Sequence, residues 1–289
     1  MAHPIEPERR DRTRRSDALA LVGLAVFALS LPLVRMLVDA PEFFIAHELT
    51  AGATGAFFVA VVVILPAAIG VLSMLPGRFG RALRTVLLVL LAVLAAAGLL
   101  QPLSASSSLF TVLVVAMAAA LVAAERRSDA VRTTCASLSL LALLLLGWVV
   151  GPSRVGTYLR SSDADAIEVD ELEPIDAPVL VVVLDEISLV HLLDEELAVD
   201  ATRFPNLAAL AETSHWFRAA SSVSPQTSAS VPALLSGTSP DLDEVPVSAS
   251  YPTNLFLQLG GGHRARGYEP ITSLCPASAG TRRGRSWRS

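Results

Sequence analysis

Not one lysine occurs among the 289 residues; all 22 Lys-or-Arg positions are arginine. Charge of either sign is scarce, at 17% of residues against about one-quarter in soluble domains. That scarcity, beside 53% hydrophobic residues, excludes an ordinary water-exposed globule, because the apolar excess must go somewhere other than one core. The two cysteines, Cys135 and Cys275, are too few for a disulfide framework. Cys135 stands at the edge of an apolar run and reads as a small hydrophobe. No cysteine or histidine cluster has the spacing of a zinc site, and no internal repeat is visible. The lysine-free composition, rich in Ala, Val and Leu, points to a GC-rich bacterial genome.

What the chain does have is long apolar runs, with a mean hydropathy of +0.56. Crossing hydrocarbon takes about 20 residues in a helix. On that criterion there are five spans, at Ala18–Val38, Ala53–Leu75, Leu83–Leu100, Leu109–Ala124 and Ala136–Val150. None contains an acidic residue, and Arg35 lies near the outer end of the first, where it can snorkel to the interface. The first span is longer than a signal-peptide core, and Val38-Asp39-Ala40 is a poor cleavage site, so it reads as retained. So few polar residues inside the spans argue against a transporter's substrate path.

Arginine placement sets the expected topology. Arg9, Arg10, Arg12, Arg14 and Arg15 precede span one; Arg78 and Arg81 lie between spans two and three, with Arg84 at the head of span three; Arg126, Arg127 and Arg132 lie between spans four and five. The alternate loops, Asp39–Thr50 and Gln101–Ser108, contain no arginine. The positive-inside rule then puts the N-terminus in the cytoplasm of a multi-pass bacterial membrane protein and everything after Val150 outside. The arginines are juxtamembrane, which topology explains; membrane lipids are the expected partner there, and nucleic acid is not.

The expected organisation is a basic cytoplasmic tail (1–16), a five-span domain (17–152), an acidic linker (153–177), an α/β segment (178–276) and a basic tail (277–289). The linker turns abruptly to Ser, Asp, Glu and Pro, and its acids should keep it extended. Trp148 and Tyr158 bracket the exit from the membrane, as an interfacial aromatic belt would.

After the linker, Pro178–Leu184 is a continuous β-branched apolar run followed at once by Asp185 and Glu186. An uninterrupted apolar strand is one buried on both faces of a parallel sheet, and in such sheets functional groups gather at the strands' carboxyl ends. Two acids there fit a site for a hard cation; equally, Asp185 could simply cap a following helix. Further on, Arg203–Leu207 is a loop entering a helix with Pro205 in its first turn. Ser224-Pro225-Gln226-Thr227-Ser228 is a hydroxyl-rich turn leading into a helix that Gly237 would end. A hydroxyl at a helix N-terminus faces free N–H groups and the positive end of the dipole, where phosphate or sulfate can be held. His191 reads as a packed or surface histidine, His215 as a strand or turn residue, Glu269 as the end of a strand, and Cys275 as an unpaired thiol.

This order of apolar strand, acid pair, Phe-Pro-Asn-Leu with helix, polar turn and Pro-Ala-Leu-Leu-Ser-Gly resembles the N-terminal half of the sulfatase branch of the alkaline-phosphatase superfamily, over Val179 to Pro276. With five spans ahead of it, the layout is similar to lipoteichoic acid synthases and related phosphoglycerol or phosphoethanolamine transferases. The resemblance implies an α/β, alkaline-phosphatase-like extracytoplasmic domain following the helical membrane domain. It implies that Asp185 and Glu186 stand at the first metal-binding acids, with Glu in place of the usual second Asp. It implies Thr227 as nucleophile and metal ligand, Ser228 being the fallback, and a divalent cation (Mn, Mg or Ca). The sulfatase maturation pattern, Cys or Ser followed by x-Pro-x-Arg, is absent, since Ser228, Ala229, Ser230 and Val231 follow Thr227. A threonine nucleophile acting on a lipid-linked or cell-envelope phosphodiester therefore fits better than sulfate-ester cleavage. Cys275, unpaired outside the membrane, suggests one half of a lost disulfide.

The family's second half supplies an Asp-His or Asn-His pair and a further His, and His263 in Gly260-Gly261-Gly262-His263 lacks an acidic neighbour. The tail from Thr281 is basic and unlike what precedes it, as a frameshifted or shortened frame would be. The expectation is an enzyme lineage whose chain as written is incomplete and inactive, the alternative being a non-catalytic multi-pass membrane protein fragment.

Overall fold

The computed structural model describes residues 6–102, 107–161, 177–260 and 265–275, with side chains from Arg14 onward. The chain divides into two units, Met1–Ala164 and Asp165–Ser289. The acidic stretch Asp163–Asp176, His263 and the 277–289 tail lie outside the described residues.

The first unit holds five helices long and apolar enough to cross a membrane: α1 (Arg14–Leu37), α3 (Ala51–Ser73), α4 (Gly77–Leu100), α5 (Ser107–Arg127) and α6 (Asp129–Val150). A short α2 (Pro41–Ala46) joins α1 to α3, and α7 (Arg154–Ser161) follows α6. Two of these helices start at a capping hydroxyl. The Thr50 hydroxyl accepts from Ala53 N–H at the head of α3, and the Ser128 hydroxyl from Val131 N–H at the head of α6.

In the bundle α1 is the hub. Its apolar window is 61% buried, against 11% for α5, which packs chiefly along α4. Leu21, Leu24, Ala25 and Ala28 of α1 form one core with Ile69, Leu88, Leu91 and Ala95, while Ala92, Ala96, Val114 and Ala118 form the α4–α5 seam. Lipid is as apolar as leucine, so such helices associate through close approach and polar contacts instead of a hydrophobic drive. Gly23 supplies the closest approach: a Cβ there would lie 1.8 Å from the Cys135 carbonyl oxygen of α6.

Two widened π-turns, Val26–Ser30 in α1 and Ala60–Ile64 in α3, each precede a proline, Pro32 and Pro66. Proline brings no N–H, so continuing the wide i→i−5 pattern leaves the Val61 carbonyl without its donor at Pro66. The buried Ser30 hydroxyl donates to that oxygen at 2.8 Å. A side chain of one helix thus repairs the backbone of its neighbour, as apolar surroundings require.

Ion pairs join the arginine-bearing ends. Arg84 of α4 reaches Asp17 of α1 at 2.5 Å and Glu125 of α5 at 3.5 Å. Arg132 of α6 lies 3.0 Å from Asp17, 3.8 Å from Glu125 and 2.9 Å from Asp129. At the opposite end, α7 folds back on the α1–α3 connection. Val155 N–H donates to the Val38 carbonyl (3.1 Å), Arg154 binds the Asp39 carbonyl (2.8 Å) and Glu42 (2.7 Å), and the Tyr158 hydroxyl donates to Leu49 O (2.6 Å). The stretch expected as an extended linker therefore begins as a docked helix. Ser153 caps it, accepting from Gly156 N–H at 2.9 Å, and Val155 and Tyr158 are its buried face.

The second unit has the helices α8 (Leu189–Leu192), α9 (Pro205–Thr213), α10 (Thr227–Ser236) and α11 (Leu255–Gly260). No β-strand occurs among the described residues; there are two isolated bridges, Leu193 with Val199 and Val247 with Ser273. Val179–Leu184, expected as a central strand, forms no ladder, and its side chains are 46–86% exposed. An apolar strand is buried only between partner strands, and the described residues supply none. The unit's buried apolar residues include Ala229, Ala233, Val245, Val247, Tyr251 and Leu274. The buried Asn254 side chain caps α11, accepting from Phe256 and Leu257 N–H.

Candidate functional site

Thr227 is the first residue of α10, preceded by Gln226 in extended conformation. The helix starts here because the Ser224-Pro225 turn cannot continue one: the Ser224 hydroxyl accepts from Gln226 N–H at 3.3 Å, and Pro225 restricts its predecessor. It ends ten residues later at Gly237, whose φ of +70° is the left-handed conformation glycine adopts without strain. Ala229 and Ser230 N–H both donate to Gln226 O, at 3.1 and 2.9 Å. The N–H groups of Thr227 and Ser228 lie ahead of the first intrahelical bond and point off the helix end.

Across 42 residues of sequence, the Thr227 hydroxyl donates to Asp185 Oδ1 at 2.9 Å. Asp185 stands where the Val179–Leu184 segment turns, and the same Oδ1 accepts the Glu186 N–H at 3.0 Å. Glu186 has φ +57°, a left-handed conformation that costs an L-residue about 1–2 kcal/mol. Asp185 and Glu186 are exposed, and Thr227 and Ser228 are half-buried at the rim of the Ala229–Ala233 core. So Asp185 and Thr227 come together in one place, and Glu186 follows Asp185 in the chain. His191 and His215 are exposed and outside it, and no group of three or more His, Cys, Asp or Glu side chains clusters among the described residues.

The donor set tests what could bind. One carboxylate, a neighbouring carboxylate and a hydroxyl are hard oxygen donors of the kind Mg, Mn or Ca takes, and unsuited to a soft metal. Their number is short of a closed cage, so water or substrate oxygens would complete the shell. Glu269, expected at a strand end, instead knits a turn: its carboxylate accepts from the Thr272 hydroxyl (2.8 Å) and from Leu274 (2.7 Å) and Cys275 (2.8 Å) N–H. Cys275 is buried and unpaired.

Sequence reading missed two functional groupings, the Asp17–Arg84–Glu125–Arg132 network and the α7 collar. The signal for the first was two acids flanking spans at the same ends as the arginines; for the second, a Pro-Ser pair followed by Val155 and Tyr158 three residues apart. No protein-family model matches the chain, and neither the curated proteins nor the solved structures include a significant match to it. Fold and site together define a helical protein with five potential membrane spans and a second unit carrying a hydroxyl–carboxylate pair at a helix N-terminus.

Proposed function

We propose that this chain is a membrane-anchored, sulfatase-like protein whose second unit acts on phosphate esters with Thr227 as nucleophile. The observation that carries the reading is the 2.9 Å hydrogen bond from Thr227 to Asp185. On this reading Thr227 would be the nucleophile and Asp185 the acceptor for its proton, beside the N–H groups of the helix start. A phosphoryl oxygen would sit on the Thr227 and Ser228 N–H groups at the positive end of α10. Thr227 Oγ1 would form a bond to phosphorus as the ester P–O bond breaks, its proton passing to Asp185 and the ester oxygen leaving as the alcohol with a proton from water. A divalent cation held by Asp185, Glu186 and Thr227 would supply charge neutralisation when bound. The substrate class is a lipid-linked or cell-envelope phosphodiester. The arginine-bearing helix ends and the N-terminus would face the cytoplasm, and five crossings would leave the second unit outside, in an α/β domain of the alkaline-phosphatase type.

The test uses the full chain in detergent with an aryl phosphodiester. Native protein is expected to gain thermal stability with Mn, Mg or Ca and to form a phosphothreonine adduct visible by mass spectrometry. Thr227→Ala should lose the adduct and Thr227→Ser keep it; Asp185→Asn should lose the cation response. A second reading, a non-catalytic membrane protein, is favoured by the lack of a three-carboxylate or histidine cluster among the described residues. It wins if no cation shifts the melting temperature and no adduct forms.

A further inference from the structure

The α4–α5 surface carries a second feature, unrelated to Thr227. Ala96 and Leu99 of α4 and Met117, Ala120, Leu121 and Ala124 of α5 line an apolar groove of about 360 Å³. It exists because the two helices meet through small side chains, Ala92, Ala96 and Ala118 with Val114, which fill little of the space beside the seam. In α5, Met117, Ala120, Ala124 and Arg127 recur at three- and four-residue spacing and so share one face. The groove wall thus runs directly into Arg127. Arg126 reaches across to α4, donating to the Thr85 hydroxyl at 3.4 Å. Both arginines are exposed and make no ion pair with a described carboxylate, whereas Arg84 and Arg132 are held by Asp17 and Glu125.

We propose that this groove binds one acyl chain of an anionic phospholipid, with the phosphate held by Arg126 and Arg127. Length fits. The ten residues from Met117 to Arg127 rise about 15 Å, half of an approximately 30 Å hydrocarbon layer, and Ala96 and Leu99 of α4 extend the groove farther from the arginines. Charge decides the occupant, because a tail gains little by leaving other tails for an apolar groove, and discrimination falls to the headgroup. A zwitterionic lipid offers the same chain with no net charge, and a free phosphate monoester offers the charge with no chain. The inference rests on the membrane reading of the five helices and is independent of the Thr227 chemistry.

The experiment measures thermal unfolding and native mass spectra of the full chain in detergent. It compares phosphatidylglycerol, phosphatidylcholine of the same chains, and glycerol phosphate. Phosphatidylglycerol is expected to stay bound and raise the melting temperature, and the other two are not. The double variant Arg126→Gln, Arg127→Gln removes two surface charges, each worth a factor of about five in affinity, so binding should weaken about 25-fold. Ala120→Phe fills the groove from an exposed position and should abolish the phosphatidylglycerol shift while leaving the lipid-free melting temperature unchanged. Equal stabilisation by phosphatidylcholine, equal binding of glycerol phosphate, or undiminished phosphatidylglycerol binding by the double arginine variant would each overturn the proposal. The arginine variant decides alone if Ala120→Phe lowers the lipid-free melting temperature. Thr227→Ala should bind phosphatidylglycerol as native protein does, which keeps this outcome separate from the fate of the phosphoryl-transfer reading.

Discussion

Cys275 lies buried beside Glu269, and its environment decides whether the thiol can react. Burial first, and the Glu269 charge second, push it from 9.0 up to about 12, against a smaller lowering by a Gly267 backbone hydrogen bond. The thiolate is the nucleophile, so at pH 8 this cysteine should alkylate with iodoacetamide far more slowly than an unhindered thiol. Glu269→Gln removes only the second cause and should speed alkylation modestly in folded protein. The sign of the linkage follows. The folded state holds the proton more tightly, so the stabilisation is complete below pH 9.0 and is lost as pH rises toward about 12. A melting temperature that rose over that range would contradict this. An expected disulfide half is therefore, in this fold, a packed thiol whose neighbour Glu269 orders the turn around it.

At the scale of helices, the spans were legible because hydrocarbon thickness sets their length. Sequence placed the first at Ala18–Val38 and the structure at Arg14–Leu37; the fourth, Leu109–Ala124, widens to Ser107–Arg127, and the shortest, Ala136–Val150, to Asp129–Val150. The ends shift because a helix continues into polar residues that a hydropathy window discards. The starts at Pro205 and Thr227 and the stop at Gly237 were legible for another reason: proline and glycine act locally. The Val179–Leu184 run was not, because a strand is defined by partners elsewhere in the chain, and sequence pattern alone does not supply them. The paired π-turns were equally hidden, since nothing local to Pro66 says that Ser30 will satisfy Val61. Ser30→Ala should strand that carbonyl and destabilise the bundle by about 1 kcal/mol, read from unfolding in mixed detergent with sodium dodecyl sulfate. Ser30→Thr, which keeps the hydroxyl, should recover part of the loss.

For the whole molecule, the charges at the arginine-bearing end serve two purposes that sequence reading merged into one. Asp17 lies 67 residues from Arg84, and Arg84 lies 41 from Glu125, so no local pattern announces their network. Glu125, with a side chain only 3% exposed, sits against two arginines and ties α5, the least buried span, to α4 and α6. Glu125→Ala should cost less than the roughly 3–5 kcal/mol of breaking a buried pair, because Arg84 keeps Asp17 and Arg132 keeps Asp17 and Asp129. The double variant Asp17→Asn, Arg132→Gln should cost less than the sum of its two single variants, the non-additivity of a contacting pair, which a structural role in mere bulk would not produce.

The arginines outside that network, among them Arg14, Arg15, Arg78, Arg81, Arg126 and Arg127, are exposed and free to set orientation. If they hold that end in the cytoplasm, five crossings place the second unit on the other side of the membrane. Cysteine labelling in intact cells reads this directly, because both native thiols are buried and contribute little background. A cysteine at exposed Glu212 should react with a membrane-impermeant maleimide in intact cells, and one at exposed Arg127 only after permeabilisation. Labelling at both positions in intact cells, or at neither, would mean an even number of crossings between them. Since α6 alone separates Arg127 from the second unit, that result would remove α6 from the membrane. The inverse pattern would keep all five spans and reverse the orientation, placing a phosphoryl-transfer site in the cytoplasm and away from any envelope substrate.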